Sequence, residues 1–334
     1  MKYFWFLFKG IRFIFKHPKG WYRILLNQVF ALLRLNYAPC LPTFITLEPT
    51  NLCDLRCPVC ETGAQLLNRK KGMMSLTDFK RVIDQIARHT NTLIFYFMGE
   101  PFLNEEAYEM ISYARKRGIF VNACTNGHYV NPKRLLDTGI DEISFQIGGV
   151  TQETHQKYRV NGDLMRTLHN VKALVEERRK HPYRFETHIV LGFILMKHNE
   201  HEVREFQRLG KEIGVDEAQV IPACVRTIEQ GREMLPENKA DWIYDPVLFE
   251  KGVLRHKQRP HNKCWLLWNS TVITWNGDIL PCCRDPQGEF VMGNIFKSDL
   301  KEIWNNSKYV AFRKRILQEQ TSVDMCDLCS GFGI

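Results

Sequence analysis

Acidic residues are missing from the first 47 positions of this 334-residue chain, which carry seven basic groups: Lys2, Lys9, Arg12, Lys16, Lys19, Arg23 and Arg34. Also missing is any uninterrupted apolar run near the roughly 20 residues that a helix needs to cross a bilayer. Lys9, Arg12 and Lys16 break up the N-terminal candidate and equally spoil a secretory core. Beyond residue 47 the charges nearly cancel: of 46 Lys+Arg and 37 Asp+Glu in the chain, 39 and 37 lie there. A nucleic-acid-binding protein would carry a basic face along its main body, so that class of partner is excluded. What remains is an almost neutral body, 44% apolar and 25% charged, long enough for one large domain and a smaller one.

Eleven cysteines are present: Cys40, Cys53, Cys57, Cys60, Cys124, Cys224, Cys264, Cys282, Cys283, Cys326 and Cys329. The number is odd, and seven of them fall in tight clusters towards the two ends of the body. Disulfide frameworks belong to short secreted chains, so metal-bound thiolates in a reducing cytoplasm are the expectation.

From residue 43 onward, short β-rich runs alternate with helical patterns. Strands are expected at Thr43–Glu48, Thr92–Phe97, Ile119–Cys124, Asp141–Ile147, Phe185–Leu195 and Glu217–Ile221, each but the last followed by a helix. Ser75 and Asn131 read as helix caps, the latter with Pro132 behind it. Six βα units imply a parallel sheet. Cys53–Cys60, Gly99-Glu100-Pro101, Thr125-Asn126-Gly127 and Ser144/Gln146 all fall at or near the C-terminal ends of successive strands. A barrel gathers such ends over one mouth, so the expected architecture is an α/β partial (β/α)6 TIM-like barrel. After about residue 235 the rhythm changes, with an Asn276-Gly277 hairpin turn, the remaining cysteines and one helix over roughly Lys297–Gln318. The division is therefore a basic aromatic leader (1–38), a barrel (39–235) and a small cysteine-rich domain (236–334).

Cys53-x3-Cys57-x2-Cys60 offers three soft thiolates in one loop. Three ligands on a four-iron cluster leave one iron open to a substrate or cofactor. A zinc site is the alternative, but it wants a fourth protein ligand, and Cys40 lies across a predicted strand. Cys124 and Cys224 read as buried thiols.

With Met98-Gly99-Glu100-Pro101, Thr125-Asn126-Gly127 and Tyr158-Arg159-Val-Asn-Gly162, that loop makes residues 43–334 resemble a radical S-adenosylmethionine (SAM) enzyme with a C-terminal SPASM/twitch extension. The resemblance implies a SAM-binding 4Fe–4S cluster on Cys53, Cys57 and Cys60. It also implies SAM contacts from Gly99, Glu100, Asn126, Ser144, Gln146 and Arg159, with Met98 standing where a glycine is common. Cys264, Cys282, Cys326 and Cys329 are implied as ligands of a second, auxiliary 4Fe–4S cluster in the one-cluster twitch form. Cys283 can replace Cys282 in that set, and a four-cysteine zinc knot is the alternative.

On a helix, Lys2, Lys9, Arg12 and Lys16 fall within roughly an 80° sector, with Phe4, Leu7, Phe8, Ile11, Ile14 and Phe15 away from it. The leader thus reads as an interfacial helix pair on an anionic membrane surface, or as helices packed on the barrel or on a second copy. The expected activity is reductive cleavage of SAM to a 5′-deoxyadenosyl radical that abstracts hydrogen from an unactivated position. Electrons would come from a donor such as flavodoxin or ferredoxin, and after the abstraction the auxiliary cluster would accept or relay an electron. The leader points to a lipid or lipid-linked small molecule as substrate, and to a cytoplasmic protein peripheral to the inner membrane face. A peptide-modifying maturase and a non-catalytic iron–sulfur or zinc protein are the alternatives. His155, Glu186, His188 and Arg226 are candidate substrate contacts, and no residue is identified as catalytic.

Overall fold

The computed structural model describes residues 20–181, 183–258, 261–326 and 328–329. The helical pattern over residues 2–16 lies outside them. Helix α1 (Trp21–Leu32) precedes a sheet whose first six strands are β1 (Phe44–Leu47), β2 (Thr92–Ile94), β3 (Phe120–Thr125), β4 (Glu142–Ile147), β5 (His188–Leu195) and β6 (Glu217–Pro222). These six pair in parallel and in chain order. Between them run α2 (Leu76–Ile86), α3 (Ala107–Lys116), α4 (Pro132–Asp137), α5 (Gln152–Tyr158), α6 (Leu164–Lys180) and α7 (Val203–Ile213). This is the partial (β/α)6 barrel.

The strands alternate cleanly. Val121 and Ala123 on β3, Ile143 and Phe145 on β4, and Ile189, Leu191 and Phe193 on β5 are fully buried in the core formed with the helices. Each such side chain contributes on the order of 1.5–3 kcal/mol by leaving water. Their alternates, Asn122 and Cys124, Glu142, Ser144 and Gln146, and Val190, Gly192 and Ile194, face the other way, into the barrel. Helix starts are fixed by side-chain caps: Ser75 accepts from the Asp78 N–H, Asn131 from Arg134, Thr151 from Thr154 and Asp163 from Arg166.

The C-terminal residues extend the same sheet. After α8 (Ile228–Met234) and α9 (Pro246–Glu250), β7 (Ser270–Ile273) pairs in parallel with β1, on the edge that β6 would need to close a barrel. β8 (Asp278–Leu280) and β9 (Gly293–Asn294) add antiparallel strands beyond it. The β7–β8 turn ends on Gly277, whose φ of 83° favours glycine.

The single helix expected over Lys297–Gln318 is two, α10 (Leu300–Ile303) and α11 (Ser307–Glu319). Two asparagines break it. Asn305 exchanges hydrogen bonds with the backbone of Ala38 (3.1 and 2.9 Å), while Asn306 caps α11 and donates to the Met292 carbonyl (2.7 Å).

Candidate functional site

The loop that leaves β1 carries Cys53, Cys57 and Cys60, and is braced on several sides. The Arg56 N–H donates to the Val160 carbonyl (2.9 Å), and the Cys60 N–H to the Cys57 carbonyl (3.2 Å). Gly63 comes so close that an added Cβ would lie 2.5 Å from the Cys57 nitrogen. Leu55, Cys57 and Val59 join a second apolar cluster with Tyr158, Met196, Val225, Trp242, Tyr244 and Phe249, which roofs the loop from the β5–β6 side. Burial pushes the Cys53 and Cys57 thiols up, so any bound metal must displace their protons.

Gly99 and Glu100 follow β2 and close the loop from beneath. Gly99 has a φ of 92°, and a Cβ there would stand 2.6 Å from the Leu52 carbonyl oxygen. The Glu100 N–H donates to that same carbonyl (2.7 Å). Glu100 itself is buried, and both its oxygens are engaged: Thr125 donates its hydroxyl to Oε1 (2.7 Å), as does the Phe102 N–H (3.2 Å), and the Asn126 N–H donates to Oε2 (2.7 Å). Burial raises its pKa to about 7 against those donors. The carboxylate thus ties the end of β2 to the end of β3.

Asn126 is likewise engaged, its Nδ2 donating to Asp54 Oδ1 (2.7 Å). On β4, Gln146 donates to Ser144 (2.7 Å) on the inner face. Gly192 makes room for that pair, since a Cβ there would sit 2.3 Å from the Gln146 amide. Arg159, after α5, aims Nη1 at Cys57 Sγ (3.8 Å) and lies over the Tyr158 ring. Its Nε is buried without a hydrogen-bond partner.

Three thiols and a guanidinium with a donor to spare are what an anionic iron–sulfur cluster with a carboxylate-bearing ligand calls for. Among the described residues no three His, Cys, Asp or Glu side chains gather tightly enough to hold a single metal ion. A four-iron cluster spreads its ligands over separate corners and needs no such cage.

The second cysteine group meets beside β7 and β8. Cys264 has Cys329 and Cys326 as electrostatic neighbours, and Cys282 has Cys264 and Cys329. Cys283 hydrogen-bonds Cys282 and also faces Arg284 and Arg226. Arg284 is buried, hydrogen-bonds Cys224 and leaves its Nε without a partner. The donor set again fits an anionic cluster.

The four candidate substrate contacts are placed otherwise. His155 is a core residue that accepts from the Gly148 N–H (3.3 Å) and packs on Gly162. Glu186 lies ahead of β5 and His188 is its first residue, at the end of the strand away from the cysteine loop. Arg226 is paired with Glu61 (2.9 Å). Two residues escaped the sequence reading: Asp54, inside the cysteine loop, and His128, whose Nδ1 meets Asp54 Oδ2 at 2.7 Å. The position of His128 just behind Thr125-Asn126-Gly127 was the available signal.

Sequence comparison agrees with this geometry. The pattern described as the Radical SAM superfamily matches residues 47–210, and SPASM, an iron–sulfur cluster-binding domain, matches residues 264–330. The tungsten-containing aldehyde ferredoxin oxidoreductase cofactor-modifying protein of Pyrococcus furiosus is 24% identical, over 81% of this chain and 83% of its own length. The PqqA peptide cyclase of Bradyrhizobium diazoefficiens is 23% identical, over 80% of this chain and 74% of its own. In fold, the chain resembles Streptococcus suis SuiB solved with its precursor peptide SuiA (TM-score 0.62, 16% identity, 91% of this chain and 74% of that one).

Proposed function

Because the chain belongs to the radical SAM superfamily and carries a SPASM domain behind the catalytic one, we propose that this enzyme modifies a peptide by radical chemistry. SAM and its 4Fe–4S cluster supply the hydrogen-abstracting radical of the family, and an auxiliary cluster carries an electron. On this reading Cys53, Cys57 and Cys60 hold the first cluster, and Cys264, Cys282, Cys326 and Cys329 hold the second. Of these two hydrogen-bonded thiols, Cys282 is preferred to Cys283 because it alone has Cys264 and Cys329 as further neighbours, where Cys283 has Arg284 and Arg226. Arg159, Ser144 and Gln146 face SAM, while Gly99, Glu100 and Asn126 shape the floor beneath it. A flavodoxin or ferredoxin serves as electron donor.

The observation that carries the substrate class is the inner wall of the barrel. Asn122, Glu142, Ser144 and Gln146 line it beside Val190 and Ile194, and these polar groups offer hydrogen bonds to the amides of a peptide. PqqA peptide cyclase, named for a peptide, points the same way. The lipid substrate drawn from the leader has less behind it, because α1 lies at the N-terminal ends of the strands: Arg23 donates to the Arg88 carbonyl ahead of β2. A small polar molecule is the second reading, favoured by the cofactor-modifying relative.

The test is 5′-deoxyadenosine release from SAM by anaerobically reconstituted protein, with a peptide fraction, a polar metabolite fraction or a lipid extract. Stimulation by the peptide fraction, lost in Cys57→Ala, is expected. Stimulation confined to the lipid extract would sink the peptide reading.

A further inference from the structure

Helix α1 is mounted with its apolar side outward. Trp21, Tyr22, Leu25, Leu26, Leu32 and Leu33 are all exposed, the last two by 77% and 64%. At 3.6 residues per turn these six fall in one sector of roughly 140°. The side turned to the protein is mixed: Phe30 and Ala31 pack on the core, and polar anchors stand beside them. Asn27 is the helix's one buried residue, and its Oδ1 accepts from the Cys40 N–H (3.0 Å). Arg23 and Gln28 donate to the carbonyls of Arg88 (2.8 Å) and Trp265 (3.4 Å). An ordinary surface helix buries its leucines; here Leu25, Leu26, Leu32 and Leu33 face outward, while the hydrogen bonds of Arg23, Asn27 and Gln28 and the packing of Phe30 and Ala31 hold the other side to the protein. A contiguous apolar patch of this kind marks an interaction surface.

We propose that this face docks on an anionic lipid bilayer, with α1 lying flat in the headgroup region. A 12-residue helix is about 18 Å long, against the roughly 30 Å of a hydrocarbon core, so it can rest on the membrane but not cross it. Trp21 and Tyr22 at one end and exposed Tyr37 beyond the other are the residue types that favour the membrane–water boundary. The charge fits as well: residues 1–47 hold seven Lys and Arg and no Asp or Glu. Each basic group near an anionic surface strengthens attachment roughly fivefold. A second copy of the chain is the competing occupant. A two-fold pair across this face would join two copies whose first 47 residues carry only basic charge, with no Asp or Glu in either stretch to offset it. This inference concerns attachment alone and does not depend on which substrate the barrel takes.

Sedimentation of the full chain with phosphatidylcholine vesicles, with and without phosphatidylglycerol, tests it. Binding is expected only to the phosphatidylglycerol vesicles, and should weaken as salt is added. Leu25→Glu and Leu32→Glu sit at exposed positions that the fold does not use, and each should loosen binding on the order of tenfold while leaving 5′-deoxyadenosine release unchanged. Wild-type protein that stays in the supernatant with anionic vesicles overturns the proposal, as does a double variant that still binds like wild type. A dimer in analytical ultracentrifugation that the double variant dissolves, without vesicle binding, assigns the face to a second copy instead.

Discussion

Asp54 is held from two sides, by His128 on Oδ2 and by Asn126 on Oδ1, both at 2.7 Å. His128 Nε2 accepts from the Asp163 N–H (3.0 Å), so the ring carries its proton on Nδ1 and donates it to the carboxylate. Burial pushes Asp54 up, but these hydrogen bonds outweigh it and hold the carboxyl below its ordinary range. The cysteine loop is thereby anchored to the ends of β3 and α6. Asp54→Asn should cost about 1–3 kcal/mol in denaturant unfolding and slow the uptake of iron and sulfide, followed by visible absorbance. His155 lends itself to a pH experiment. Burial first, and then Arg159, push its pKa down to about 3, from 6.5. The unfolded chain therefore binds a proton there that the native protein refuses, and stability should fall as pH drops from about 6.5 towards 3. In His155→Gln, which can still accept from Gly148, denaturation midpoints should flatten across that window; an unchanged slope would assign the acid sensitivity elsewhere.

Two glycines separate architecture from ligand contact at the level of the strands. Gly99→Ala forces a side chain onto a left-handed backbone and against the immovable Leu52 carbonyl. The backbone strain alone costs about 1–3 kcal/mol, and the loss should appear as a lowered denaturation midpoint. Gly192→Ala meets only the mobile end of Gln146, so the fold should hold while SAM binding, measured calorimetrically, weakens. The strands and the caps at Ser75 and Asn131 were legible because period and capping are local signals. The break before α11 was not. Asn305 and Asn306 act through Ala38 and Met292, and no window of sequence brings those partners together. The cysteine loop was legible from its spacing, whereas Glu100's role as a tie between β2 and β3 depends on the two strand ends converging. Whether α1 turns its leucines inward or outward was left open by the sequence, because the choice depends on Asn27, Arg23 and Gln28 meeting Cys40, Arg88 and Trp265.

Across the whole molecule the two cysteine groups share a boundary. Leu328, between Cys326 and Cys329, packs on the apolar roof of the first loop. Arg226, bound to Glu61 next to Cys60, is a charged neighbour of Cys283. Arg284, buried beside the second group, would stabilise a cluster there more in its reduced, more negative state. Arg284→Met should therefore move the auxiliary cluster's midpoint to a more negative potential in an electron paramagnetic resonance titration, and an unmoved midpoint would confine Arg284 to its bond with Cys224. The sheet that joins these sites also sets the order in which they come into being. Phe44 of β1 pairs with Ser270 of β7, so one edge of the first strand has no neighbour until most of the chain has left the ribosome. At ordinary synthesis rates that interval is on the order of tens of seconds. For that time the nascent chain presents an open parallel edge, just ahead of the cysteine loop. Late emergence of β7 thus leaves that edge open to wrong pairing, with another chain or another strand, for as long as the barrel waits for its last partner.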